Sequence, residues 1–112
     1  MEVFAKNEGN LCVVSVLEPR IDAAVALAFK EAMRQSTDNG ESDVVLDLQQ
    51  VSFIDSSGLG AIVATMKFLA PDRALILAGL TPAVDKVFKL TRMDTVFSVF
   101  ATLDQALAKQ SV

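Results

Sequence analysis

Three short apolar runs, Leu11–Leu17, Val44–Leu48 and Ala74–Ala78, are separated by stretches whose apolar residues recur at helical spacing. A strand that is apolar at nearly every position must be covered on both faces, and this is the habit of parallel sheets. Parallel neighbours in turn need a crossover between them, usually a helix. Val25, Ala28, Phe29, Ala32 and Met33 predict the first helix, which ends near Ser36 before Asp38-Asn39-Gly40. Leu59, Ile62, Val63, Met66 and Ala70 predict a second, over Ser57–Leu69, broken by Pro71-Asp72-Arg73. Val84, Val87 and Phe88 give the inner face of a third, opened by Thr81-Pro82 in the favoured order of capping hydroxyl then proline. Thr102-Leu103-Asp104-Gln105 reads as a capping box for a last helix to Lys109. Val3–Ala5 is expected to form a hairpin with Leu11–Leu17 through Asn7-Glu8-Gly9-Asn10, and Val96–Val99 a short final strand. Asp22 is placed to cap the first helix. The expected fold is α/β: one domain with a mixed, mostly parallel sheet of about four to five strands and about four flanking helices.

The 112 residues, just over half of them hydrophobic, suffice for one core without disulfides. The single cysteine, Cys12, falls inside an apolar run, so a reducing, cytoplasmic setting is expected. Histidine is absent, which removes the commonest general base and the commonest zinc ligand together. A Ser-His-Asp triad is impossible within this chain. Neither a metal nor a cofactor is expected. The net charge of −4, with Lys and Arg scattered, argues against nucleic acid. No apolar run approaches the roughly 20 residues that span a bilayer, and the N-terminus lacks a signal pattern, so no membrane association is expected.

The chemistry-bearing stretch is Phe53-Ile54-Asp55-Ser56-Ser57-Gly58-Leu59-Gly60, at a strand–turn–helix junction. It is not a phosphate-cradling loop, because Ala61 stands where that motif needs lysine. It is not a dinucleotide fingerprint either, because Val63 stands where the third glycine belongs. Asp55 or Ser56 could simply cap the helix, and Gly58 and Gly60 could simply permit close packing. Yet a cap needs one polar group, and three crowd this turn. A cap and a regulatory site both fit the residues. A serine nucleophile would need Lys67 as its base, about three turns up the helix, and is disfavoured.

The run Val44-Val45-Leu46-Asp47-Leu48, continued by Val51-Ser52-Phe53-Ile54 into Asp55-Ser56-Ser57-Gly58-Leu59-Gly60, resembles the signature of STAS domains, and among them the bacterial anti-sigma-factor antagonists. The resemblance spans nearly all of residues 1–112. Arg20-Ile21-Asp22, Ala78-Gly79-Leu80-Thr81-Pro82-Ala83-Val84 and Met93-Asp94-Thr95-Val96-Phe97 also fit the family, each weakly alone. The resemblance implies a binding switch and not an enzyme. It places the phosphorylated hydroxyl at Ser56, with Asp22, Asp55, Ser57, Gly58, Leu59 and Gly60 joining Ser56 in partner contact. The implied partners are an anti-sigma factor that is also a serine kinase of the histidine-kinase-like ATPase fold, and a phosphoprotein phosphatase. The unphosphorylated chain, expected as a monomer, would sequester the kinase. A scaffold or accessory role, in a stressosome-like assembly or a lipid-transport complex, is the alternative the family also offers. The chain departs from the pattern at Pro19, where glycine is frequent, at Arg20, where many antagonists have glutamate, and at Val25, where threonine is common.

Overall fold

The computed structural model describes residues 1–38 and 40–110. A five-stranded sheet forms its centre, ordered β1 (Val3–Glu8), β2 (Leu11–Val16), β4 (Asp43–Asp47), β6 (Leu75–Ala78) and β7 (Ser98–Phe100). Only the β1–β2 pair is antiparallel; the other three pairings are parallel. β1 extends to Glu8, which pairs with Leu11, so the expected four-residue turn shrinks to Gly9-Asn10. Gly9 sits at φ +58°, in the left-handed region such a tight hairpin demands. β3 (Arg20–Ile21) and β5 (Phe53–Ile54) make a separate parallel ribbon of two strands. This ribbon is absent from the sequence-based expectation, because two residues are too few to show a period.

The apolar runs divide between two faces. Val14, Val16, Leu46 and Leu77 point into the main core with Phe29 and Met33 of α1 (Ala26–Thr37), Ile62 of α2 (Ser56–Leu69), and Val84 and Phe88 of α3 (Pro82–Leu90). Leu11, Val13, Val45, Ile76 and Ala78 point the other way, against Ala106, Leu103 and Leu107 of α4 (Leu103–Gln110). Adjacent residues therefore serve opposite layers, and this is why the strands read as continuous apolar runs.

Several cap expectations are revised. Asp22 does not cap α1. That helix starts at Ala26 with Val25 at its N-cap position and no side-chain cap bond. Asp22 instead closes a turn, its Oδ1 accepting from the Ala24 amide at 3.1 Å and its carbonyl from the Val25 amide at 3.1 Å. Thr81 precedes Pro82 as expected, but its hydroxyl donates to the Val51 carbonyl at 2.7 Å and leaves the α3 amides alone. Thr102 does cap, accepting from the Gln105 amide at 3.1 Å. The last strand lies at Ser98–Phe100 because a short 3-10 turn, Met93–Thr95, takes up the preceding residues. Of the turn expected after α1, Asn39 lies outside the described residues.

α2 meets the β3–β5 ribbon at Gly58, which is buried. A Cβ built there would overlap the Ile21 carbonyl oxygen and stand 3.0 Å from Ile54 Cγ1. Backbone cannot yield as a side-chain tip can. Gly58→Ala is therefore expected to destabilise the fold by about 1–3 kcal/mol, read as a lowered urea midpoint with an unchanged m-value.

Candidate functional site

The junction between β5 and α2 is built around one carboxylate. β5 runs beside β3 with Arg20 opposite Phe53 and Ile21 opposite Ile54. That register sets Asp55 next to the turn at 22–25. Asp55 is the N-cap of α2, with extended backbone at φ −110° and ψ −175°. Its Oδ1 accepts from the Gly58 amide at 2.8 Å, and its Oδ2 accepts from the Ala23 amide at 3.0 Å. One side chain thus caps a helix and pins the loop that follows β3. These amides, the Gly58 N–H foremost, hold the Asp55 carboxyl below the usual carboxylate range, against a smaller upward push from desolvation.

With the cap supplied by Asp55, the two hydroxyls are released from that duty. Ser56 and Ser57 open α2, both are exposed, and neither hydroxyl bonds to another described residue. Leu59 is half-buried and packs against the main core. Gly60 is exposed, and a Cβ added there would meet nothing within 4 Å. The Asp55-to-Gly60 stretch therefore presents two hydroxyls and a patch of bare helix backbone outward, while Gly58 and Leu59 face in.

Asp22 stands on the neighbouring strand end, with its side chain 20% exposed. Its Oδ2 accepts from Arg20 Nε at 3.0 Å and its Oδ1 is taken by the Ala24 amide. The Arg20 guanidinium also lies over the Phe53 ring, with its carbon 4.1 Å from the ring centroid. Phe53, though large and apolar, is 39% exposed. The Arg20–Phe53 stack is a surface feature that periodicity does not reveal. Its only sign in the sequence is the Arg20 departure itself, and the pairing register is needed to bring the two together.

Other chemistries find little support. Ser56 and Lys67 are separated by roughly 16 Å along the helix axis at 1.5 Å per residue, so the serine–lysine pair does not form. Cys12 is buried, which pushes its thiol pKa up against a weaker lowering by Arg73. Among the described residues no three His, Cys, Asp or Glu side chains gather as a metal site. None of the described helices is long and apolar enough to cross a membrane.

Residues 3–106 match the family model for the STAS domain. The anti-sigma-B factor antagonist of Staphylococcus aureus is 28% identical over 80 residues, covering 70% of this chain and 74% of that one. A solved anti-sigma-factor antagonist (STAS) domain protein from Planctomyces limnophilus superposes with a TM-score of 0.88 at 20% identity, covering 98% of each chain. The anti-sigma factor antagonist SpoIIAA has been solved unphosphorylated and, from Bacillus, phosphorylated. Those two forms superpose at TM-scores of 0.76 and 0.66, with 20% and 18% identity. The unphosphorylated form covers 98% of this chain and 96% of its own, and the phosphorylated form 96% and 98%.

The bridging carboxylate makes a prediction about acid stability. The folded-state pKa of Asp55 is depressed, so between the folded and unfolded values the unfolded chain binds the proton more readily. Its contribution is complete above the unfolded value near 3.9 and is lost as pH falls through the folded value. Asp55→Asn keeps a capping oxygen but does not titrate. Its urea midpoint is expected to lie below wild type at pH 7, with the gap closing as pH falls below about 4.

Proposed function

The chain belongs to the STAS family, and on that premise we propose that it is an anti-sigma factor antagonist whose grip on a kinase is switched by a phosphate on Ser56. The observation carrying this reading is the division of labour at the start of α2. Asp55 does the capping, so the exposed Ser56 hydroxyl has no task in the fold and is open to a modifying protein. The names of the Staphylococcus aureus relative and of the phosphorylated SpoIIAA form support the reading. Fold alone does not, since one fold hosts many functions.

Unphosphorylated, the chain offers Ser56, Ser57, Gly60 and the neighbouring Asp22 turn to the anti-sigma factor. Gly58, Leu59 and Asp55 act from beneath, holding that surface in shape. The kinase, of the histidine-kinase-like ATPase fold, brings the ATP; this chain brings only the acceptor hydroxyl and is not an enzyme. Transfer adds about −1.5 to −2 charges at neutral pH. The Gly58 amide is already engaged by Asp55 and the Ser56 side chain is exposed, so the dianion stays on the outside. The helix N-terminus, with roughly +0.5 charge, tolerates it. A tightly apposed partner surface does not. A penalty of ~3 kcal/mol at that surface weakens binding roughly 100-fold. A phosphatase resets the state.

Incubation of the purified chain with ATP and the ATPase-fold kinases of its own genome, followed by mass spectrometry, tests this directly. Phosphate is expected on Ser56. Ser56→Ala is expected to bind the kinase as wild type does, and Ser56→Asp roughly 100-fold more weakly. Phosphate on another residue, or wild-type affinity in Ser56→Asp, would contradict the proposal.

Gly60 gives an independent check. Glycine inside a helix costs about 0.5–1 kcal/mol relative to alanine, and no packing requires it here. Gly60→Ala should therefore raise the urea midpoint while weakening kinase binding, because the methyl group lies where the partner must approach the helix.

A further inference from the structure

Arg20 stands beside the Ser56 surface, opposite Phe53 two residues before Asp55, and three contacts set its orientation. The Phe53 ring supports the flat face of the guanidinium at 4.1 Å. Asp22 fixes one edge through the Nε bond at 3.0 Å. Asp22 is itself fixed by the Ala24 amide. The β3–β5 register sets Arg20 opposite Phe53, so the ring and the cation come from paired strands and not from a flexible loop. Yet the Arg20 side chain is 56% exposed, and Nη1 and Nη2 make no hydrogen bond to any described residue. A guanidinium has donors only and no acceptor.

The result is a cation whose orientation has been set before anything binds. Arginine normally loses considerable side-chain freedom when it forms a contact, and here the ring and Asp22 have already removed much of it. The open edge is the pair of parallel N–H groups on the two Nη atoms, the geometry that matches a carboxylate two bonds at a time. The nearby acids do not compete for it. Asp55 accepts from the Gly58 and Ala23 amides, and Glu18 accepts from the Glu2 amide at 3.3 Å. The apolar border is supplied by Phe53 itself, 39% exposed.

We infer that this stack is a recognition element for a carboxylate on the partner: an aspartate or glutamate of the kinase that docks against the Nη edge of Arg20, with an apolar neighbour over Phe53. The inference rests on the partner-binding reading of the Ser56 surface and adds to it the chemistry that the partner must present. A cation at that position on the partner would meet donors where it needs acceptors. Partner choice is thereby narrowed by repulsion as well as by attraction. Asp22 becomes a positioning residue, acting through Arg20.

The test uses the full chain, unphosphorylated, titrated calorimetrically into the kinase that phosphorylates Ser56. Arg20→Gln should weaken binding on the order of 10-fold, and Arg20→Glu more. Arg20→Lys should fall between wild type and Arg20→Gln, because it keeps the charge and loses the fork. Unfolding midpoints should stay close to wild type for all three, since the side chain is largely exposed. A single Asp→Arg or Glu→Arg change on the kinase should rescue Arg20→Glu and weaken wild type, identifying the docked acid. Wild-type affinity in Arg20→Gln, with Ser56 still phosphorylated, would overturn this inference and leave the switch standing. The same holds if Arg20→Gln alters only the phosphorylated chain, for Arg20 would then serve its own phosphoserine. Failure of every ATPase-fold kinase to phosphorylate Ser56 would remove the switch and, with it, this inference.

Discussion

Asp55 accepts two backbone amides from two different segments, and the geometry of the whole site follows from that pair of bonds. The Gly58 amide fixes where α2 begins. The Ala23 amide fixes the turn after β3. β3 and β5 are only two residues long and pair weakly alone, so the Asp55–Ala23 bond reinforces the Pro19 and Ile21 carbonyl bonds and the Gly58–Ile21 contact in setting Arg20 and Asp22 beside the start of α2. A single ionised side chain thus adds to what the short ribbon supplies. It also settles which group caps the helix, and this leaves the adjacent hydroxyls outside the hydrogen-bond network of the fold.

The two glycines of the motif solve opposite problems. At Gly58 the chain needs the absence of a side chain, since the Ile21 carbonyl occupies the place a Cβ would take. At Gly60 the space is open and the glycine costs helix stability for no internal return. A residue that harms the fold slightly and fills no packing need points to something outside the chain. Proximity to Ser56 on the same helix end makes the partner surface the natural place for that need. Sequence reading groups Gly58 and Gly60 as one motif; the coordinates separate them into one that faces in and one that faces out.

Much of the architecture is legible in the residues because burial on two faces leaves a plain mark. Val44-Val45-Leu46 and Leu75-Ile76-Leu77 cannot lie on a half-solvated sheet, so parallel pairing and covering helices follow. The Gly9 turn, the Pro82 helix start and the Thr102 cap are legible for similarly local reasons. What escapes is whatever depends on a non-local contact. Asp22 looks like a cap for α1, but it sits three residues before the N-cap position at Val25, because residues 22–25 close as a turn on Asp22 and the Asp55–Ala23 bond pins that turn. Thr81 looks like a cap as well, but the Val51 carbonyl, thirty residues away in sequence, takes its hydroxyl. Asp55 and Ser56 are both legible as members of a site. Which of them caps and which is left free depends on a distance, and no spacing in the sequence encodes it.

That last distinction decides how a phosphate could act. Had Ser56 been the cap, its hydroxyl would accept from α2 amides, and modification would rearrange the start of the helix. Signalling would then require a change of fold, at a cost set by the loss of those bonds. With Asp55 as the cap, the Gly58 amide keeps its partner and the added dianion displaces no capping bond. Its charge is expressed outward, next to an already ionised carboxylate. A domain of this size is marginally stable, so a switch that draws on its folding free energy would risk unfolding it. On the proposed reading, placing the modified hydroxyl one residue past the cap separates signal from stability: the surface is spoiled for a partner and restored, while the core beneath it is left undisturbed.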